Sequence, residues 1–251
     1  MMMPVVSERD RETGRRRKQM IRVFPDFESL SEAAAEYILS VGRAAAKVRG
    51  RFDLVLAGGR TPRRAYEILA ERTRDDPAFW RKTHVFWSDE RCVGPEHPDS
   101  NCRMATCVLR ERVEIPEANV HRICAEGPGR AAVAAAYGRI FPATPDLVLL
   151  GMGADGHIAS LFPGSPALDE HGKRFTISEA PAEPKERITM TPRALAAARN
   201  VLVLVSGVEK ASALARVFSE EGDVRRTPAR LVRGAAWFLD KAAAAQLERK
   251  E

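Results

Sequence analysis

Residues 146–157 read Asp-Leu-Val-Leu-Leu-Gly-Met-Gly-Ala-Asp-Gly-His. Four consecutive apolar residues run into a glycine-rich loop that carries an aspartate and a histidine. Side chains along a strand alternate between its two faces, so an unbroken apolar run reads as a strand covered on both. Leu54-Val55-Leu56 and residues 201–205 repeat the pattern. Working outward, the expected strands are 21–24, 53–57, 84–88, 120–123, 146–151, 187–190, 201–206 and 236–240. Helical patterns fall between them at 30–48, 62–74, 100–111, 130–141, 207–219 and 240–249. In the first of these, Leu30, Ala34, Tyr37, Ile38, Val41, Ala45 and Val48 form one apolar stripe, and Ser29 with Glu32 reads as a capping box. Strands alternating with helices predict an α/β fold: a single doubly wound, mostly parallel sheet with helices on both faces. The Pro-rich stretch 162–184 reads as a long loop or a loop with a short helix.

The chain has 251 residues, 45% of them hydrophobic and 29% charged, with a net charge of +6. That composition excludes a wholly disordered chain, a collagen and a coiled coil. Half of the net charge lies in residues 1–19, where Arg9, Arg11, Arg15, Arg16, Arg17 and Lys18 outnumber Glu8, Asp10 and Glu12. This segment reads as a basic, solvated tail ahead of one domain spanning 20–251. No aromatic residue interleaves its Arg-Arg-Arg-Lys run, so it does not read as a nucleic-acid arm. The segment has no apolar signal-peptide core, and no run is long enough for a membrane span. Cys92, Cys102, Cys107 and Cys124 lack paired zinc spacing and read as reduced thiols of a cytoplasmic protein.

Ligands of open α/β sheets bind outside the carboxyl ends of the strands. Four loops there deserve a chemical reading. Gly58-Gly59-Arg60-Thr61-Pro62 opens a helix, and reads either as a plain tight turn or as an anion site on backbone amides, with Thr61 as cap. Ser88-Asp89-Glu90-Arg91, with Asp99-Ser100-Asn101, puts charge directly after an apolar strand. Arg91 suits a phosphate and Asp89 suits sugar hydroxyls, while Ser100 and Asn101 read either as helix caps or as ligands. The loop 151–157 fits G-x-G-x-x-G, yet Pro163, Gly164 and Pro166 interrupt the long helix a dinucleotide site needs. It reads better as a nest presenting Asp155 and the general-base candidate His157. Ser206-Gly207-Val208-Glu209-Lys210 repeats a capping box and places Lys210 in a first helical turn, where its charge opposes the helix dipole; it reads either as a cation offset by a bound anion or as a surface lysine reaching into water.

Together these segments resemble the 6-phosphogluconolactonase family: Leu56 to Pro62, Ser88 to Arg91 with Asp99 to Asn101, GMGADGHIASLFP at 151–163, and Ser206 to Ala211, in the family's order. The resemblance implies hydrolysis of a sugar-phosphate lactone of the pentose phosphate pathway. It also implies a fold shared with glucosamine-6-phosphate deaminase and ribose-5-phosphate isomerase. His157 is then the general base and Asp155 its companion; Gly58, Gly59, Thr61, Asp89, Arg91, Ser100, Asn101 and Lys210 bind the substrate and its phosphate. Neither metal nor cofactor is implied. The deaminases continue Asp-Gly-His-Ile-Ala with Phe-Asn-Glu-Pro; here Phe162 stands in place of the glutamate, which favours the lactonase over the deaminase reading. Arg91 points the same way, since the deaminases usually carry Tyr there. Arg60 stands where the family usually has Ser.

Overall fold

The computed structural model describes residues 20–247; the tail 1–19 and residues 248–251 lie outside the described residues. Nine strands form two sheets. The larger is entirely parallel and contains β1 (Met20–Phe24), β2 (Phe52–Leu56), β3 (Thr83–Trp87), β5 (Leu147–Gly151), β8 (Val201–Val205) and β9 (Ala236–Asp240). Its order is β1-β9-β8-β5-β2-β3. The helices are α1 (Phe27–Arg49), α2 (Arg60–Arg72), α3 (Pro77–Arg81), α4 (Asn101–Ala105), α5 (Arg130–Ile140), α6 (Pro192–Ala196) and α7 (Ala211–Phe218). All five residues of β8 and the first four of β5 are buried. Successive side chains face opposite ways, so both faces of the sheet are covered. Each such Leu or Val contributes about 1.5–3 kcal/mol by leaving water. Most of the buried apolar side chains form one contiguous core, with a small satellite around Leu161 and Leu168.

From β2 the chain first steps outward to β3. It then returns across β2 to β5 and continues outward through β8 and β9. The direction of travel reverses between β2 and β5, and a ligand crevice belongs at the carboxyl ends of those two strands.

The second sheet is antiparallel, in the order β4-β7-β6, from β4 (Asp89–Arg91), β7 (Glu186–Met190) and β6 (Phe175–Glu179). Strand 187–190 therefore leaves the main sheet. The stretch 162–184 holds β6 as well as the short 3-10 helix Pro166–Asp169. The expected strand 120–123 does not form: only Val120 bridges, to Val85. It is held there by Tyr137, whose hydroxyl donates to the His121 carbonyl at 3.0 Å and accepts from the Trp87 amide at 2.9 Å.

Three expected caps are relocated. Helix α1 starts earlier than expected, because Asp26 rather than Ser29 accepts the first-turn amide, that of Ser29, at 2.8 Å. Val48, at the end of its stripe, is exposed. Helix α2 starts at Arg60 with Gly59 as N-cap, so Thr61 lies inside the first turn and caps nothing. The Ser206–Glu209 capping box does not form; a 3-10 turn, Val208–Lys210, leads into α7, and Ser206 turns to Asp240 instead. The expected helix 100–111 divides into α4 and a π-helical turn, Thr106–Arg110. After β9 only a 3-10 turn, Ala243–Gln246, lies within the described residues.

Candidate active site

The loop after β5 turns back on itself: the Gly153 amide donates to the His157 carbonyl at 2.9 Å and the Gly156 amide to the Gly153 carbonyl at 3.0 Å. This brings the His157 ring over Asp155. Nδ1 lies 2.7 Å from Asp155 Oδ1, which also accepts the His157 amide at 3.1 Å. Gly153 has to be glycine, since a Cβ there would lie 2.2 Å from His157 Nδ1 and 2.5 Å from Asp155 Oδ1. Burial pushes the Asp155 carboxyl up, but the hydrogen bonds from His157 outweigh it and hold the pKa at about 2. An ionised carboxylate only accepts, so Nδ1 carries the proton and Nε2 keeps its lone pair. The ring packs on Phe162, with centroids 4.6 Å apart, and stays 31% exposed. No helix follows Gly156, which removes the dinucleotide reading of the glycine pattern.

The loop after β2 faces this one. A Cβ on Gly151 would lie 3.9 Å from the Gly58 carbonyl oxygen. Tyr66 of α2 fixes the loop's start: its hydroxyl accepts from the Ala57 amide at 2.9 Å and donates to the Ala57 carbonyl at 3.1 Å. Asn101 fills the space beside Gly58, where a Cβ would lie 1.9 Å from its Oδ1. Gly59 and Arg60 are exposed, and no side chain caps α2, so its first amides are free to meet an anion.

Ser100 and Asn101 are each 3% exposed. Ser100 accepts from the Arg103 amide at 3.1 Å as N-cap of α4, and the Asn101 side chain donates to the Asp89 carbonyl at 2.9 Å. Asp89 is 5% exposed, and each of its oxygens already accepts a hydroxyl: Ser88 at 3.0 Å and Ser160 at 2.7 Å. Glu90, read from the sequence only as a charged neighbour, is a buried anchor. It accepts from the amides of Asn101 and Cys102, each at 2.7 Å, and of Arg91 at 2.8 Å.

Arg91 donates to the Asp99 carbonyl at 2.6 Å, and its buried Nε finds no partner. Its cross-strand partner on β7 is Arg187, 7% exposed. Burial, then the charge of Arg91, pulls the Arg187 guanidinium below its usual value. Like charges directly opposite on a ladder are unfavourable, and the Arg187 guanidinium is turned to the carbonyls of Pro184 and Glu186. Arg187 was not singled out from the sequence; the signal was its place opposite Arg91, which only the register reveals. Lys210 stands at the start of α7, behind β8 and so next to the β5 loop, and enters no ion pair with a described residue. Its turn is fixed by Asp240, which accepts from Ser206 at 2.5 Å and from the Gly207 amide. Arg216, also on α7, reaches the Asp155 carbonyl at 3.3 Å.

Among the described residues, no three His, Cys, Asp or Glu side chains gather as a metal-ligand set. No helix is long and apolar enough to cross a membrane. Cys92, Cys102, Cys107 and Cys124 form no disulfide with one another.

The chain is similar to known proteins along most of its length. A 6-phosphogluconolactonase of Nostoc sp. is 38% identical over 243 residues, covering 92% of this chain and 99% of that protein. One from Mycobacterium bovis is 35% identical, covering 90% and 98%. The solved 6-phosphogluconolactonase of Trypanosoma brucei superposes with a TM-score of 0.81 at 30% identity, covering 92% of this chain and 99% of that one. A monomeric glucosamine-6-phosphate deaminase at 19% identity shares the fold, with a TM-score of 0.78. The family model for glucosamine-6-phosphate isomerases/6-phosphogluconolactonase matches residues 25–239, and the chain belongs to that family.

Proposed function

We propose that this chain hydrolyses 6-phospho-D-glucono-1,5-lactone to 6-phospho-D-gluconate, in the oxidative pentose phosphate pathway and in the cytoplasm. The observation that carries this reading is the Asp155–His157 pair, in which Nδ1 is committed to the carboxylate. Nε2 takes a proton from water as the water oxygen attacks the lactone carbonyl. The tetrahedral oxyanion is stabilised by amides of the glycine loops. Its collapse breaks the bond from the carbonyl carbon to the ring oxygen, and the imidazolium returns the proton to that oxygen. Asp155 keeps the ring in the productive tautomer. The phosphate is held by amides of Gly58 and Gly59, the Thr61 hydroxyl and the cations Arg91, Arg187 and Lys210. Phe162, 8% exposed against the imidazole, gives the site an apolar wall where the deaminases carry a glutamate. The relatives at 38% and 35% identity support the same reaction.

The test is a lactonase assay on freshly generated substrate, with spontaneous hydrolysis subtracted. A rate above background is expected, and its absence overturns the proposal. His157→Asn should lower kcat about 10²–10⁴-fold with the fold intact; an unchanged kcat removes His157 from the mechanism. Lys210→Ala should mainly raise KM, and an unchanged KM makes Lys210 a surface lysine.

A further inference from the structure

Asp89 was expected to bind sugar hydroxyls, but its surroundings leave it another task. We infer that Asp89 is a positioning residue that acts through Ser160 to hold the left-handed turn at Ala159, and so aims His157. This rests on the reading of His157 as general base.

Asp89 is 5% exposed and Ser160 1%. An ionised carboxylate accepts only, so both hydroxyls on Asp89 donate to it. Ser160 Oγ meets Asp89 Oδ2 at 2.7 Å. The Ser160 amide donates to Thr189 Oγ1 at 3.1 Å, and its carbonyl accepts from Ser178 Oγ at 2.7 Å. Every polar group of Ser160 is thus tied to a different strand of the small sheet: β4, β7 and β6. Ala159, immediately before it, has φ of 49°, the only positive φ at a non-glycine residue among those described. That backbone is sterically uphill for a residue with a Cβ, and it persists only where the surroundings over-determine it. Here the constraint lies downstream. Ser160 is pinned three ways, and the Leu161 amide closes on the Ile158 carbonyl at 2.9 Å. Two residues upstream stands His157, whose carbonyl is held by Gly153. The turn therefore joins the small sheet to the imidazole, and the Asp89–Ser160 bond closes the joint.

Three variants in the full chain separate this role from a substrate contact. Asp89→Asn keeps the shape, and hydroxyls can reverse roles to meet its amide. It should retain kcat within about threefold, with an unchanged pH profile. Asp89→Ala and Ser160→Ala should lower kcat about tenfold to a hundredfold, as small misplacements of a catalytic group do, with KM altered less than about twofold. The His157 Nδ1–H proton resonance gives a readout that needs no turnover. It should move in Ser160→Ala and Asp89→Ala and stay in Asp89→Asn. If Asp89→Asn loses as much kcat as Asp89→Ala, the charge itself is required and the inference fails. A raised KM at constant kcat in Asp89→Ala makes Asp89 a substrate ligand and also overturns it. If Asp89→Ala does not fold, Ser160→Ala and Asp89→Asn carry the test. A wild-type chain without turnover defeats the lactonase reading alone. An unmoved resonance in Ser160→Ala defeats the positioning role whatever the turnover.

Discussion

The acidity of Asp155 has a consequence for stability. Its pKa falls from 3.8 to about 2, because the hydrogen bonds from His157 outweigh burial. A carboxyl whose pKa is depressed by folding stabilises the native state above its unfolded pKa. The benefit is lost as pH falls through the folded pKa. Solvent screens a side chain that is 40% exposed, which reduces the contribution to about 1 kcal/mol. Asp155→Asn should therefore be less stable than wild type by that amount at pH 5–7. The gap should close between about pH 3.8 and pH 2 in urea titrations. A gap that widens on acidification would show that the Asp155–His157 bond does not stabilise the fold. At this scale the sequence was informative where chemistry and spacing coincide: an aspartate and a histidine two residues apart on a glycine loop can meet in few ways. The surroundings of Asp89 were not legible, because a carboxylate's partners can lie far along the chain. Ser160 is 71 positions away, and nothing local marks the bond.

Glu90 shows the same limit for a whole element. Helix α4 is only five residues long and could not persist unaided. Its start is held by Glu90, which accepts two α4 amides and the Ser100 hydroxyl, the last at 3.1 Å. Burial raises the Glu90 pKa, and the amides pull it back. Glu90→Ala would leave those buried amides without an acceptor, costing roughly 2–4 kcal/mol. For a chain of this size that is a fall in Tm of about 5–12 °C, measurable by circular dichroism. A Tm within about 1 °C of wild type would show that α4 is held elsewhere. The long parallel strands were legible because an apolar run long enough to span both faces has few other uses. β4 was not, since Asp89, Glu90 and Arg91 are all charged. β6 was obscured by the prolines around it, and Ile177 at its centre is 53% exposed. The run 120–123 misled in the other direction: two β-prone residues, Val120 and Ile123, sufficed for one bridge, not for a strand.

At the scale of the whole molecule, strand order decides the site. The Gly58 and Gly151 loops are far apart in sequence, and they meet only because β2 and β5 are neighbours at the point where the chain reverses direction. The rule that ligands sit at strand carboxyl ends was enough to nominate both loops, but their adjacency required the order. The same geometry divides the +6 charge. Arg91, Arg187 and Lys210 belong to the described fold, where Arg91 and Arg187 face each other across a ladder. The +3 of residues 1–19 belongs to a segment outside it. Long-range attraction between exposed charges is largely screened beyond about 8 Å at physiological salt. The charge of residues 1–19 is therefore expected to add to general polyanion affinity but not to lactone turnover. Removing residues 2–19 should leave kcat and KM within about twofold of the full chain, while elution from a cation exchanger moves to lower salt. If kcat/KM instead drops about tenfold, roughly 1.4 kcal/mol of transition-state stabilisation comes from the tail. Its arginines would then have to be counted with Arg91, Arg187 and Lys210.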